Sequence, residues 1–491
     1  MRKWRICAAV CAAACLLLGG CTGQTAKATD TTPATETADA AETTAATGAE
    51  TGKTENENTD ENTGFQVTAI TEVFGDGQKI SAAALEYPGG IDGSQLSADD
   101  FEVEGQTISD VYSNTEAAFS ETGTPGNFVI LKFEYENTET AEGGMHGGPE
   151  AGENGPGAGK NNPDGALGGR GAGENGPVGG RDGGIMRGSE EKEVDFTVKV
   201  VQKSDISGTD GTVYGKSDQA VESSGQIDLV LEDFQLFEYT DPETGATIPY
   251  SLYLPENYDE SKEYPLLFFV ADASANGDNP VRNLTQGNGA IVWATAEEQA
   301  KHECIVLSPQ YTNTLIDSIG ALTTDDNEWS DGLTLVSNLL HYVIEEYSVD
   351  ENRIYGTGQS QGCMTNIAIS DKYPDLFAAQ LLVAGQWNVE EMAAMKDKNL
   401  WIVVCEGDNK AYPGMNAATE LWESLGSAVA RSDMWDSTLP AEELNELVKQ
   451  MEEQGCRINY TVFENGSHTY TWTVAYNIEG LRDWLFAQTK E

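Results

Sequence analysis

The sequence predicts an all-β sandwich followed by an α/β domain whose mostly parallel sheet is flanked by helices. Apolar and polar residues alternate from Phe65 to about Lys203, which is typical of half-exposed strands. From Ile227 onward, short apolar runs alternate instead with stretches of helical spacing. The predicted organisation places a signal peptide at 1–20, a tether at 21–64, the β domain at 65–205, a linker at 206–226 and the α/β domain at 227–491.

The N-terminus has the layout of a secretory signal. Three basic residues precede Ile6–Leu18, an apolar run of 13 residues that is too short to span a bilayer. The run leads into Gly19-Gly20-Cys21, which resembles the lipobox of bacterial lipoproteins, where the cysteine is diacylated and becomes the new N-terminus. We therefore expect lipidation of Cys21 and anchoring at the extracellular face of a bacterial membrane. An ordinary signal peptide that is cut elsewhere is the alternative.

The segment after this signal is acidic and poor in apolar residues. Residues 21–64 are mostly Thr, Ala, Glu, Asp, Gly and Asn, so burial cannot offset the entropy of ordering them, and a disordered tether is predicted. The whole chain has 28 Lys and Arg against 81 Asp and Glu, a formal net charge of −53. This charge excludes a nucleic-acid binder, which needs a basic face. The lack of several helix-length apolar runs excludes a multi-pass membrane protein.

The predicted β domain contains a Gly-rich insertion. About seven strands are predicted in this domain, separated by Gly, Asn and Asp turns. Residues 141–190 interrupt them and contain the hexapeptide AGENGP twice, beginning at Ala151 and Ala172. We expect this stretch to be a disordered loop, because loop-closure entropy grows slowly with length.

The predicted α/β domain contains both stretches of helical apolar spacing and short apolar runs typical of buried strands. Apolar spacing predicts helices over 332–347 and again over 474–485. The predicted strands are 266–270, 304–307, 353–356, 381–384, 400–405 and 458–463.

A G-x-S-x-G motif lies between one of these strands and a helix-like stretch. It reads Gly358-Gln359-Ser360-Gln361-Gly362. In this context the chain turns sharply at the serine, small residues are needed two positions to either side, and Oγ projects above the sheet. The motif predicts Ser360 as a nucleophile. The alternative is a Gly-rich turn that carries an ordinary serine.

Such a serine needs a base, and the chain has four histidines. His146 lies in the Gly-rich insertion, His341 on the polar face of a predicted helix, and His302 just before a strand, where a structural role is expected. His468 follows the last strand and fits the chain order Ser, acid, His of such sites. We therefore predict His468 as the base.

The acid is expected after the strand 400–405, which ends in Glu406-Gly407-Asp408. Asp408 is predicted, because one further residue and a glycine let the loop turn toward the imidazole. Glu406 is the competitor, and Asp436 and Glu464 are less well placed. The role of this acid is to orient the histidine and to stabilise its protonated form.

Two backbone amides are expected to bind the oxyanion of a transition state. One is the amide of Gln361, directly after the nucleophile, and the other comes from the loop after Val270, through Asp272 or Ala273. No metal or organic cofactor is expected. The remaining cysteines, Cys304, Cys363, Cys405 and Cys456, form no C-x-x-C pair, which argues against zinc and thioredoxin-like sites. Buried free thiols are favoured for them over two disulfides.

These motifs resemble the α/β-hydrolase superfamily, and more closely the bacterial secreted esterases with an Ig-like N-terminal domain, whose relatives are often labelled predicted peptidases. The segments that carry this likeness are Ile248-Pro249-Tyr250-Ser251-Leu252-Tyr253-Leu254-Pro255, Glu297-Glu298-Gln299-Ala300, Ser308-Pro309-Gln310, Trp472, Ala475-Tyr476 and Asp483-Trp484-Leu485-Phe486. The resemblance implies a carboxylesterase with its triad on Ser360, Asp408 and His468. One departure is Ala271-Asp272, where such enzymes usually have His-Gly; an acidic side chain there weakens the oxyanion site unless it points away.

The sequence thus predicts a cell-surface serine hydrolase that cleaves carboxylic esters through an acyl-enzyme. A serine peptidase with the same triad and an inactive surface binding protein of this fold are the alternatives. The expected substrate is a small ester or an ester linked to a polysaccharide. The tryptophans considered as a sugar or aromatic subsite, against the alternative of core positions, are Trp293, Trp329, Trp387, Trp435 and Trp472.

Overall fold

The computed structural model describes residues 64–135, 188 and 194–490. The predicted signal peptide, Cys21, the tether up to residue 63 and His146 lie outside the described residues, as does the Gly-rich insertion apart from Gly188. Within the described ranges, no helix combines the length and the apolar character that crossing a membrane requires.

The N-terminal domain is a small β-sandwich. Its strands are β1 Gln66–Phe74, β2 Gly77–Ile91, β3 Phe101–Val103, β4 Ile108–Asn114, β5 Gly126–Phe133, β6 Lys199–Gln202, β7 Ile206–Ser207, β8 Val213–Tyr214, β9 Val221–Glu222 and β10 Gly225–Asp228. A five-stranded sheet in the order β10-β1-β2-β5-β4 and a three-stranded sheet in the order β3-β6-β9 contribute side chains to one core. Strands β7 and β8 form a separate pair. The predicted sandwich is therefore confirmed.

The predicted linker at 206–226 is wrong, because this stretch belongs to the sandwich. Strand β9 pairs with β6, and β10 pairs in parallel with β1, so the N-terminal domain extends to Asp228 rather than ending at residue 205. The strands in this stretch have only two to four residues. Strands this short are too brief to produce a recognisable alternation of apolar and polar residues.

The C-terminal domain is built on a nine-stranded sheet in the order β11-β12-β14-β13-β15-β16-β17-β19-β18. Its strands are β11 Gln235–Thr240, β12 Thr247–Tyr253, β13 Tyr264–Val270, β14 Ile305–Pro309, β15 Val349–Gln359, β16 Ala379–Val383, β17 Leu400–Cys405, β18 Val429–Arg431 and β19 Ile458–Phe463. Strands β11 and β12 pair antiparallel at one edge, and β13 to β19 pair in parallel. The predicted α/β fold with a mostly parallel sheet is confirmed.

Helices cover both faces of this sheet. They are α1 Arg282–Thr285, α2 Ala296–Lys301, α3 Asn313–Ile319, α4 Asp331–Glu346, α5 Gln361–Lys372, α6 Ala411–Ser424, α7 Ala441–Glu452, α8 Tyr470–Ala475 and α9 Glu479–Phe486. In β13, Leu266 and Phe268 pack into one apolar core, and Leu267 and Phe269 pack into the core on the opposite face. The continuous apolar strands of the sequence are thus strands with both faces buried.

Most predicted elements of this domain are present, but one predicted helix is divided and three strands of the sheet were not predicted. The predicted strands correspond to β13 to β17 and β19, and the helix over 332–347 corresponds to α4. The single helix expected over 474–485 is instead two helices, α8 and α9, because Ile478 between them has extended backbone angles. The strands β11, β12 and β18 were not predicted. In β11 most side chains are exposed, so the strand lacks an apolar run.

Candidate active site

The G-x-S-x-G motif forms the tight turn between β15 and α5. Ser360 has φ 51° and ψ −114°, a left-handed conformation that L residues rarely adopt. Its amide donates to the carbonyl of Val383 at 3.1 Å, and its carbonyl accepts from the amide of Met364 at 3.0 Å. Such strain costs of the order of 1–3 kcal/mol and persists only where the surroundings enforce it. The sheet and the first turn of α5 therefore hold Ser360 in one position.

The glycines of the motif are required by close packing against β13. A Cβ atom on Gly358 would lie 2.4 Å from the carbonyl oxygen of Val270, and a Cβ atom on Gly362 would lie 1.7 Å from the same oxygen. Both distances are shorter than a carbon and an oxygen can approach. The motif thus brings the start of α5 against the end of β13, where the predicted oxyanion loop begins.

This packing gives a stability prediction. Gly362→Ala should lower the free energy of unfolding by about 3 kcal/mol or more, because the overlap falls on backbone that cannot rotate away. The matched control is Gly215→Ala, where the nearest neighbour of a Cβ atom is a side-chain oxygen at 4.0 Å. That change should alter the free energy of unfolding by no more than about 1 kcal/mol. Denaturant titration of both variants measures the difference, and equal effects would contradict the close packing.

The structure brings Ser360, His468 and Asp408 into one hydrogen-bonded chain. His468 Nε2 lies 2.8 Å from Ser360 Oγ, and His468 Nδ1 lies 2.5 Å from Asp408 Oδ2. Ser360 follows β15, Asp408 follows β17 and His468 follows β19, so all three lie at the carboxyl edge of the parallel strands. The imidazole thus contacts the hydroxyl with one nitrogen and the carboxylate with the other.

Asp408 is a buried carboxylate with several donors. Its side chain is 3% exposed, and its Oδ1 accepts from the amides of Lys410 at 3.0 Å and Ala411 at 2.9 Å. Burial acts to raise the pKa of Asp408, but the hydrogen bond and charge of His468 and the two amides outweigh burial and leave the pKa below its usual value. Asp408 is therefore ionised at neutral pH and fixed in orientation.

The lowered pKa of Asp408 gives a prediction about acid stability. Its ionised form should stabilise the folded state fully above the pKa of the unfolded chain, about 3.9, and this contribution should be lost as pH falls further, through the folded pKa. The difference in free energy of unfolding between wild type and Asp408→Asn should therefore narrow as pH falls below about 4. Chemical denaturation from pH 6 to pH 2.5 measures this difference, and a gap that widens toward low pH would contradict the assignment.

The competing acids lie elsewhere. Glu406 is exposed, and its Oε2 accepts from the amide of Asn465 at 3.4 Å. Asp436 caps a turn by accepting from Thr438. The loop geometry that favours Asp408 depends on Gly407, where a Cβ atom would lie 2.2 Å from the carbonyl oxygen of Gly466. The loops that carry the acid and the histidine therefore pack directly against each other.

The other two histidines in the described ranges contact residues outside the candidate site. His341 Nδ1 lies 2.8 Å from the carbonyl oxygen of Ser337, within α4. His302 lies at the end of α2, and its Nε2 is 2.8 Å from Asp483 Oδ1 in α9. Neither of them contacts the serine or the buried acid.

The predicted oxyanion groups lie at the starts of two helical turns. Gln361 is the first residue of α5, and Ala273 is the first residue of a 3₁₀ helix, Ala273–Ala275. The first amides of a helix have no partner within it, so they are available to an anion. A cavity of about 10 Å³ between the two segments is lined by Gln361, Asp272 and Asn276 among others. This volume is close to the minimum that holds one water molecule.

The acidic side chain of Asp272 is engaged by its own loop. Its Oδ1 accepts from the amide of Ser274 at 2.7 Å, and its Oδ2 lies 3.4 Å from Gln359 Nε2. Asp272 is 5% exposed, and its carboxylate caps the 3₁₀ helix. Ala271-Asp272, which stands where similar enzymes usually have His-Gly, therefore gives this loop a carboxylate that caps a helix.

Several amide side chains near the site were not singled out from the sequence. Gln361 and Asn276 exchange two side-chain hydrogen bonds, at 3.0 and 3.2 Å. Gln310 Nε2 donates to the carbonyls of Ala275 at 2.9 Å and Gly277 at 3.0 Å. These contacts fix the loop after β13 relative to α5. The Ser308-Pro309-Gln310 segment was the one sequence feature that pointed to Gln310, but nothing in the residues around this glutamine indicates which groups it binds.

Among the tryptophans considered as a subsite, Trp472 contacts His468. Its ring meets the His468 ring edge to face, with centroids 5.2 Å apart and planes at 88°. Trp293, Trp387 and Trp435 are buried in the two cores. Trp329 is partly buried against the core and lies under Lys372 Nζ. Most of these tryptophans are therefore core residues, which was the alternative to a sugar or aromatic subsite.

The cysteines of the described region are free thiols. Cys304, Cys363 and Cys405 are buried, and Cys456 is half-buried. Burial raises the pKa of the Cys405 thiol to about 12 and raises the pKa of the Cys304 and Cys363 thiols as well. These three side chains act as small apolar residues of the core.

Comparison with protein families identifies both domains. Residues 66–215 match the model of the esterase Ig-like N-terminal domain, and residues 320–490 match that of the prolyl oligopeptidase family. The first match ends at residue 215, beyond the predicted end of the β domain at 205, in agreement with the strands found there.

Individual relatives are esterases. The chain is 30% identical over 215 residues to acetylxylan esterase A of Aspergillus ficuum, covering 36% of this chain and 68% of that protein. It is 32% identical over 105 residues to feruloyl esterase B of Talaromyces stipitatus, covering 21% of this chain and 28% of that protein. The chain thus spans less than a third of the length of the feruloyl esterases B that it matches.

A solved structure covers both domains. The crystal structure of a thermostable esterase is 26% identical, with a TM-score of 0.59 over 87% of this chain and 100% of that chain. Together with the acetylxylan esterase match and the Ig-like domain, this similarity confirms the resemblance seen in the sequence. The chain therefore belongs to the esterases of the α/β-hydrolase superfamily, in the group that carries an Ig-like N-terminal domain.

Proposed function

We propose that this protein is a cell-surface serine hydrolase that cleaves carboxylic esters through Ser360, His468 and Asp408. The observation that carries the proposal is the hydrogen-bonded chain of these three side chains, with distances of 2.8 and 2.5 Å. The strained turn at Ser360 and the buried acid support it, because both hold the reacting groups in a fixed geometry before a substrate arrives.

The proposed reaction has two halves. In the first, Ser360 Oγ attacks the ester carbonyl while His468 Nε2 takes its proton, and the alcohol leaves with a proton returned by His468. In the second, water gives a proton to His468 and attacks the acyl carbon; the bond from that carbon to Ser360 Oγ then breaks, and His468 returns the proton to Oγ, so the acid is released and Ser360 is restored. Asp408 keeps the imidazole in the required tautomer and stabilises its charged form.

The proposed oxyanion donors are the backbone amides of Gln361 and of the loop at Asp272 and Ala273. Support comes from the helical turns that begin at Gln361 and Ala273. The contacts of the Asp272 carboxylate with Ser274 and Gln359 also support this role, because they engage the negative charge within the loop.

The substrate class that we propose is an ester linked to a polysaccharide. Support comes from the relatives named acetylxylan esterase A and feruloyl esterase B. A panel of acetyl, feruloyl and short-chain acyl esters, with matched amides and peptides, tests the proposal. Esters should be hydrolysed and peptides should not. Preferential cleavage of peptides would favour the serine peptidase, a rival that the prolyl oligopeptidase family match keeps open.

The proposed location is the extracellular face of a bacterial membrane, with a lipid on Cys21. Support comes from the basic N-terminus, the apolar run and the Gly-Gly-Cys segment. Cys21→Ala tests the anchor: the variant should lose incorporation of labelled palmitate and move from the membrane fraction to the soluble fraction. A variant that stays in the membrane fraction would contradict lipidation at this residue.

A further inference from the structure

Helices α2 and α9 bring together a histidine and two carboxylates, away from the contacts of Ser360. Glu298 and His302 lie four residues apart on one face at the end of α2, and Asp483 lies opposite on α9. Each residue offers one atom that could bind a metal ion, a carboxylate oxygen or an imidazole nitrogen, and these three atoms lie within 4.8 Å of one another. His302 Nε2 is 2.8 Å from Asp483 Oδ1 and 3.9 Å from Glu298 Oε1.

The carboxylate of Glu298 has an unused oxygen that faces this cluster. Glu298 is 2% exposed, and its Oε1 has no hydrogen-bond partner among the described residues. Its other oxygen, Oε2, accepts from Arg482 Nε at 2.7 Å. A buried carboxylate oxygen without a donor is costly, so its position calls for a positively charged or hydrogen-bonding ligand.

The surroundings hold the buried Glu298 and the partly buried His302 in place. Arg482 is itself anchored by a hydrogen bond from its Nη1 to the carbonyl of Tyr476, so it fixes the orientation of the Glu298 carboxylate. The His302 ring stacks on Phe486, with centroids 4.7 Å apart and planes at 3°. Contacts of this kind, which orient the ligands of a metal from outside, accompany protein metal sites.

The local charge also suits a cation. Arg482 pairs with Glu298, Lys301 pairs with Glu479, and Asp483 adds a further carboxylate beside His302. Negative groups therefore outnumber positive ones around His302.

We infer that Glu298, His302 and Asp483 form a binding site for a divalent metal ion of the zinc type. Ligand atoms of a tetrahedral zinc site, at about 2.0–2.2 Å from the metal, lie roughly 3.4 Å from one another. The two separations from His302 Nε2, 2.8 and 3.9 Å, lie on either side of that value, and all three ligand atoms lie within 4.8 Å of one another. One imidazole and two carboxylates suit zinc better than calcium, which takes six to eight oxygen ligands.

This inference differs from the sequence-based expectation, which gave His302 a structural role and no metal to the chain. The cluster was not visible in the sequence because Asp483 is distant in sequence from the other two residues and comes close to them only through the packing of α9 against α2. The metal would link α2, which precedes β14, to the C-terminal helix α9. It would act on stability, and the reaction at Ser360 does not require it.

The experiment measures zinc binding to the full chain by thermal unfolding and isothermal titration calorimetry. Zn²⁺ added to EDTA-treated protein should raise Tm, and Ca²⁺ should not reproduce this rise. His302→Gln and Asp483→Asn should each weaken Zn²⁺ affinity by more than about 10-fold, the lower end of what loss of an outer partner costs. Asp483 is half-exposed, so its variant should fold even if the His302 variant does not.

Two control variants separate this site from other zinc-binding groups. Glu479→Gln removes the neighbouring ion pair with Lys301, which also links α2 to α9, and should leave the Zn²⁺ response intact. His468→Ala should also keep the response, which excludes zinc bound at the triad. No rise in Tm for wild type, or the same rise in wild type and Asp483→Asn, would overturn the inference.

Discussion

Ser360→Ala should lower kcat for ester hydrolysis by about 10⁶-fold, because the variant lacks the oxygen that forms the acyl-enzyme. Residual turnover above the uncatalysed rate is expected, since the amides at the start of α5 remain to polarise the carbonyl. The measurement is hydrolysis of a short-chain p-nitrophenyl ester by purified protein, with circular dichroism to confirm folding. Ser360→Ala should leave the free energy of unfolding little changed, because alanine keeps the Cβ atom and therefore the same backbone strain as serine.

His468→Ala should cost about as much as Ser360→Ala, since the hydroxyl and the imidazole act as one unit. For the same reason, the double variant should be little slower than either single variant. Additive losses would mean that the two side chains, although 2.8 Å apart, do not share a mechanism. Turnover by wild type equal to that of Ser360→Ala would favour an inactive binding protein.

Asp408→Asn should lower kcat by roughly 10³- to 10⁴-fold. The asparagine keeps the shape of the side chain, but its amide group can hold the imidazole in the wrong tautomer and cannot stabilise its charged form. The loss should appear in kcat more than in KM, because Asp408 is buried behind His468 and is positioned to act through it. The same p-nitrophenyl assay measures it.

Glu406→Gln is the matched control for this prediction. It also removes one carboxylate charge from the same loop, but Glu406 is exposed and contacts the amide of Asn465 rather than His468. Its kcat should stay within a few-fold of wild type. The reverse order of effects would transfer the role of the acid to Glu406.

The serine and the histidine of the site could be predicted because their signals are local in the sequence. The glycines around Ser360 and the strand before them are specified within about ten residues, and His468 follows from chain order. The position of Asp408 was harder to predict, since two acids share the loop. Its choice depends on the packing of Gly407 against Gly466, two residues that are far apart in sequence.

Features that depend on distant partners could not be predicted. The contacts of Asp272 with Gln359 and of Gln361 with Asn276 join separate segments, so no local pattern indicates them. The same holds for the end of the sandwich, where β10 is recognised as a strand only through its pairing with β1. The cluster around His302 is a further example, because its third member lies on the last helix.

The most direct test of a serine nucleophile is covalent labelling with a fluorophosphonate probe, followed by mass spectrometry of the labelled peptide. Wild type should carry one phosphonyl group on Ser360, and Ser360→Ala should carry none. Labelling of His468→Ala should be much slower, because no base takes the proton from Oγ. Labelling of wild type at another residue, or equal labelling of wild type and Ser360→Ala, would contradict the central claim that Ser360 is the nucleophile.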